Sequence, residues 1–171
     1  YVDTLHADAA SALAGQIITT GTNPRFFVFN PLGWARDDVA EVAYAGAGPV
    51  HVIDVATGLE VPSQLLSGSA PQRLQIVAPA VPSVGYKVFE IVAGAGQTWS
   101  PAADVTGTSV IDNAYYRLTF SGRGAITSWI DKRHGNRELV LPSGGFSVND
   151  LGAGTGTLQV EQSGPVSVTL I

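Results

Sequence analysis

The sequence predicts a mainly β protein, a β-sandwich with one N-terminal helix. Three observations carry this. Short apolar segments with a period of two recur from Arg25 to the end, Gly- and Pro-containing turns separate them at short intervals, and a single stretch has a helical period. The 171 residues include 20 glycines and 10 prolines, which supply the turns, and no internal repeat is visible.

The helical stretch comes first. Val2, Leu5, Ala9, Ala12, Leu13 and Ile17 recur at helical spacing, with Asp3, Asp8 and Ser11 largely off that stripe. Gly15 weakens the helix, and Thr19 to Pro24 is its polar exit. From Arg25 the period becomes two. Phe26-Phe27-Val28-Phe29 is apolar on both faces, the pattern of a strand covered on both sides, and Asn30-Pro31-Leu32-Gly33 is a turn. His51 to Val55, Thr57-Gly58 and Leu59 to Val61 read as a hairpin. Arg73 to Val77 and Gly85 to Ile91 are further strands.

The best internal boundary is 94–107, rich in Gly, Ala, Ser and Thr. It divides the β region into a first sandwich segment, 23–93, and the start of a second, 108–171. In the second, Tyr116, Leu118 and Phe120 share one face, and Arg117 and Thr119 the other. Ser121-Gly122-Arg123-Gly124 turns the chain into Ile126 to Ile130. Leu158 and Val160, a turn at Ser163-Gly164, then Val166, Val168 and Leu170 form a last hairpin. The strand pattern runs through Ile171, and residue 1 is not Met, so a piece of a longer chain is the expectation.

Composition excludes several functions. There are 9 basic and 14 acidic residues, so 13% of the chain is charged, about half the ~25% usual for a soluble domain. Without cysteine there is no disulfide scaffold and no Cys-ligated zinc or iron–sulfur site. That composition fits a reducing compartment, the cytoplasm, without requiring it. With so few Lys and Arg, no nucleic-acid partner is expected, and no run of about 18 apolar residues offers a membrane-spanning helix. A surface so poor in charge is expected to lie partly against something else, with exposed apolar area concentrated on the helix and at the sheet edge near Ile171.

The candidate chemistry is sparse. His6 has Asp3 one helical turn earlier, a spacing that suits two metal ligands but is commoner as a helix-flank pair. His51 reads as a half-buried structural imidazole. His134 stands in the one dense charge cluster, Asp131 to Glu138, read as a solvated hairpin loop. A His134–Glu138 pair is the local candidate for epimerase-type proton transfer. A glycosidase needs two carboxyl groups about 5–10 Å apart. Asp37-Asp38 point to opposite faces of a strand, whereas Asp131 with Glu138, or the Asn149-Asp150 region, have nothing local that brings them together. Trp34, Tyr115 and Trp129 are the candidate carbohydrate contacts, as rings able to stack on a sugar face; core or interface anchoring is their other reading. Gly152 to Gly156 is a loop, because neither a following helix nor a lysine supports a phosphate site.

Particular strings carry a resemblance. Phe29-Asn30-Pro31-Leu32-Gly33-Trp34-Ala35-Arg36, Val61-Pro62-Ser63-Gln64-Leu65-Leu66 and Val81-Pro82-Ser83-Val84-Gly85-Tyr86-Lys87-Val88-Phe89 resemble segments of glycoside hydrolase family 38 α-mannosidases. Asp112 to Phe120, Gly124 to Lys132, Asn136 to Leu139 and Gly164-Pro165-Val166 are similar to later segments of that family, in the same order. The resemblance implies a catalytic barrel and a three-helix bundle upstream, with residues 1–22 as the end of the bundle's last helix. The β region would then be part of a sandwich related to galactose mutarotase. It implies a zinc-dependent retaining α-mannosidase as the parent, with the nucleophile and the zinc shell outside this chain. Here it implies no catalytic residue, no metal ligand and no cofactor, and His6 is not the family's histidine ligand. The implied partners are the upstream catalytic domain and the parent's α-mannoside substrate. A stand-alone carbohydrate-binding module is the alternative reading. Between Phe146 and Thr157 the sequence departs from the family, being short and Gly-rich, which weakens the expectation of a substrate contact from this lobe.

Overall fold

A computed structural model of the chain describes residues 2–18, 21–66, 68, 71–140, 149–150 and 156–171. Helix α1 (Val2–Ala14) is followed by β1 (Arg25–Asn30), β2 (Arg36–Ala43), β3 (Val50–Asp54), β4 (Leu59–Val61), β5 (Ser63–Leu66), β6 (Arg73–Val81) and β7 (Gly85–Ala93). Then come β8 (Asp104–Thr106), β9 (Val110–Asp112), β10 (Tyr116–Phe120), β11 (Ile126–Asp131), a 3-10 turn (Lys132–His134), β12 (Arg137–Glu138), β13 (Val160–Ser163) and β14 (Val168–Leu170). The protein is mainly β, with four sheets and an N-terminal helix among the described residues. No helix among them is long and apolar enough to cross a membrane. The chain divides into two units, Tyr1–Thr98 and Trp99–Ile171.

In the first unit a four-stranded sheet, β1-β7-β3-β4, faces a three-stranded one, β2-β6-β5. The core lies between them, because strict alternation turns one face of each strand inward. Val52, Val61, Phe89 and Ile91 come from the first sheet, Leu74, Ile76, Ala78 and Val81 from the second. Phe26 stacks on Phe89 with ring centroids 5.6 Å apart. The alternation in β6 breaks at Ala80, whose φ is 47°; opposite it the β2 register shifts, and Asp37 Oδ1 accepts the Ala80 N–H at 2.7 Å.

Three elements differ from the sequence-based expectation. Phe26 to Phe29 is only partly covered on its outer face, where Phe27 is half-buried and Phe29 exposed. Its outer residues Phe27 and Phe29 share a cavity of about 250 Å³ with His6 and Leu13 of α1. The helix ends at Ala14, short of Ile17, and none of its residues is buried. The β3–β4 connection spans Val55–Gly58 rather than two residues, since Asp54 pairs with Leu59. Gly58 takes φ 70°, which closes the turn with its N–H on Asp54 O.

Polar groups fix the corners. Asn30 is 1% exposed, and its Oδ1 accepts the Leu32 N–H while Nδ2 donates to the carbonyls of Trp34, Val81 and Pro82. One side chain thereby ties the β1–β2 turn to the β6–β7 turn. Asp54 and Lys87 form a buried ion pair at 2.5 Å, with Lys87 also donating to Pro79 O.

In the second unit the sheet order is β12-β11-β10-β9-β8, accompanied by the β13–β14 hairpin. A mostly apolar cavity of about 530 Å³ lies against Ile111, Phe120, Leu158 and Val168. Part of the segment expected as a linker is strand, because β8 pairs with β9. Of the Gly-rich departure between Phe146 and Thr157, residues 146–148 and 151–155 lie outside the described residues.

Candidate functional site

The chemistry-bearing residues of the second unit gather at one end of its sheet. Asp112, on β9, is directly opposite Asp104 of β8 on one side and Arg117 of β10 on the other. Directly opposed residues share a face, so two carboxylates and a guanidinium stand in a row there. Lys132 reaches back from the end of β11 to pair with Asp112 Oδ1 and to donate to Asn113 O at 2.8 Å. Asp104, Asp112, Asn113 and Lys132, with Ser100 and Pro101, line an open cleft of about 560 Å³. Its wall is held in place: Ala103 is buried, and the Ala102 N–H bonds to Gly164 O at 2.9 Å. Asn113 Oδ1 accepts the N–H groups of Tyr115 and Tyr116, fixing the β9–β10 turn.

The β11–β12 hairpin builds a second cluster beside Lys132. Asp131 Oδ1 accepts the Arg133 N–H at 2.9 Å, and Oδ2 holds His134 Nδ1 at 2.8 Å. Asp131 is almost buried, whereas the His134 side chain is 70% exposed. The His134 hydrogen bond is the largest cause holding the Asp131 carboxyl below its ordinary range, helped by the Arg133 N–H and opposed by desolvation. Arg133 lies over the rings of Tyr116 and Tyr115, at 4.9 and 5.6 Å from their centroids, and bonds the Tyr116 hydroxyl.

The epimerase pairing does not form. Glu138 is opposite Ile130 and Asp131 is opposite Arg137, so Glu138 and Asp131 are on opposite faces of the sheet. Glu138 instead accepts from Ser128 Oγ at 2.5 Å, Trp129 N at 2.7 Å and Val140 N at 2.9 Å. Those bonds, Ser128 first, hold its carboxyl low and leave it a structural group. The partner of His134 is Asp131. Asn149 and Asp150 are also structural: Asn149 accepts the Ile126 N–H and donates to Gly124 O, and Asp150 pairs with Arg123 at 2.5 Å. His51 is half-buried with Nδ1 on Gly94 O.

The three candidate sugar contacts divide between the units. Trp34 belongs to the first and is 63% exposed. Tyr115 and Trp129 belong to the second. Tyr115 is 56% exposed, but Trp129 is half-buried, edge-on to Tyr116 at 5.9 Å, with its indole N–H buried and without a hydrogen-bond partner among the described residues. Sequence reasoning missed Asp104 and Asp112, which only the register of β8 on β9 brings side by side. No group of three or more His, Asp or Glu able to hold a metal occurs among the described residues. Neither a protein-family model nor a curated protein sequence matches the chain.

Proposed function

We propose that this chain is a non-catalytic β-domain segment of a zinc-dependent retaining α-mannosidase, packing against the catalytic domain of its parent. The observation that carries the reading is α1. It has a helical apolar stripe whose Leu13 end is half-buried beside Phe27 and Phe29 of β1, while Val2 and Leu5 on its first turns, and Ile18 beyond its end, are largely exposed. An isolated helix of this length is marginal in water and draws its stability from a covered apolar face. The strings that resemble the family support the same role. They lie on the strands and turns that build the sheets, with Asn30 and Asp131 buried among them.

The parent protein provides the test. In the chain alone, Leu5→Asp and Ile18→Asp change little, because both residues already face water. In the full-length product the same substitutions should lower the melting temperature of a zinc-dependent aryl α-mannosidase by several degrees. The 171-residue chain itself should release no aryl alcohol from an aryl α-mannoside. An upstream coding sequence without a catalytic domain, or turnover by the chain alone, overturns the proposal.

A further inference from the structure

The cleft beside β8 and β9 contains an unused set of polar groups. Asp104 has no side-chain partner among the described residues, although it faces Asp112 directly across the strand pair. Like charges so placed repel, and Lys132 relieves Asp112 only. Asp112 spends one carboxylate oxygen on that lysine and keeps the other. Lys132 has three N–H donors and uses two, on Asp112 and on Asn113 O. Asn113 spends its oxygen on the turn and keeps its amide N–H groups. The cleft thus offers acceptors from two aspartates and donors from a lysine and an asparagine.

The sign of the charges selects the ligand. Asp104 and Asp112 are balanced by Lys132 and by Arg117 on the next strand, so the row is formally neutral. An anion would meet two carboxylates there. A metal ion would have to displace the ammonium already seated on Asp112. A neutral ligand whose groups both donate and accept satisfies all four residues at once, and vicinal hydroxyls are such groups. A volume of about 560 Å³ accommodates one or two sugar rings.

We propose that this cleft is a saccharide-binding site in which Asp104 and Asp112 accept from, and Lys132 and Asn113 donate to, adjacent hydroxyls of a neutral glycoside. The site goes beyond the architectural role, and its test does not depend on the parent's identity. Amide chemical shifts of the 171-residue chain would be followed while mannose, mannobiose and glucose are titrated separately, and calcium chloride in a parallel series. Saturable shifts at Ala102 to Asp104, Asp112 to Ala114 and Lys132 are expected with at least one sugar. Asp104→Ala should weaken that binding about tenfold, the loss of one hydrogen bond to a charged group. Because Asp104 has no side-chain partner among the described residues, this variant should melt no lower than the unmodified chain. Asp112→Asn should weaken binding as well, while Trp34→Ala should leave it unchanged. Absence of saturable shifts with every sugar at tens of millimolar overturns the proposal. So does equal affinity in Asp104→Ala, and so do shifts produced by calcium alone.

Discussion

Asn30 is the position where a single substitution should cost the first unit most for its size. Its amide carries two N–H groups, and three carbonyls compete for them: Trp34 O at 2.7 Å, Pro82 O at 3.1 Å and Val81 O at 3.2 Å. Its oxygen takes the Leu32 N–H at 3.1 Å. Alanine removes about three hydrogen bonds, each worth ~1 kcal/mol net, and strands buried carbonyls, so the expected loss is ~3–4 kcal/mol. In a unit of this size each kcal/mol lowers the melting temperature by roughly 4–8 °C, which puts Asn30→Ala at roughly 15–25 °C. Asn30→Asp is the sharper variant. It keeps the shape and the acceptor but sets an ionised oxygen against three carbonyls, so at neutral pH it should be no better than alanine. Differential scanning calorimetry of both variants measures this. A drop of less than about 5 °C in the alanine variant, or an aspartate variant as stable as the unmodified chain, refutes the reasoning.

Lys87→Met should lose about 3–5 kcal/mol by leaving Asp54 buried and unpaired, and the double variant Asp54→Asn/Lys87→Met should regain most of it in urea unfolding. Val84 is β-branched, exposed and at φ 43°, so Val84→Gly should stabilise by up to ~1 kcal/mol in the same assay. Asp131, Glu138 and Glu90 all have carboxyls held below their ordinary range, Glu90 first by Asn23 and then by Arg25. A depressed folded value contributes stability above the unfolded pKa of about 4, and that stability is lost as pH falls through the folded values. Acid unfolding followed by circular dichroism should therefore set in below about pH 4. In His134→Ala the Asp131 carboxyl, followed by carbon NMR, should titrate higher than in the unmodified chain, because the largest cause of its depression is gone.

Period and punctuation made most of the fold legible. The alternation in Tyr116 to Phe120 and the Gly and Asn turns needed no tertiary information, because a strand's faces and a turn's φ are local properties. The failures have a common origin in pairing. Phe26 to Phe29 reads as covered on both faces, but coverage depends on what packs over the outer face, where Phe29 is exposed. Glu138 is four residues from His134, yet the sheet places it on the face away from Asp131, whereas Asp131 at three residues is bonded to the imidazole. The cleft was invisible for the same reason. Asp104 lies in a stretch whose composition reads as linker, and only the β8–β9 register sets it against Asp112.

The scarcity of charge takes on a structural meaning once the ion pairs are placed. Among the described residues, seven of the nine basic side chains are in ion pairs, with Arg117 and Arg137 the two outside them. Several of the paired arginines are still exposed and hydrate the surface, and the exposed large apolar residues are spread over both units. Leu59 and Val84 are single side chains at turns, of the sort any soluble surface tolerates. Val2 and Leu5 lie on the first turns of α1 and Ile18 beyond its end, while Val160 and Ile171 fall on opposite faces of the last hairpin. Within α1 the apolar stripe changes along its length: Leu13, like Ile17 beyond the helix, is half-buried beside the phenylalanines of β1, while the first turns are open to water. The first turns of α1 are therefore where a covering partner of the proposed kind would be detected, and Leu5→Asp tests that face at a distance from Leu13 and the phenylalanines of β1.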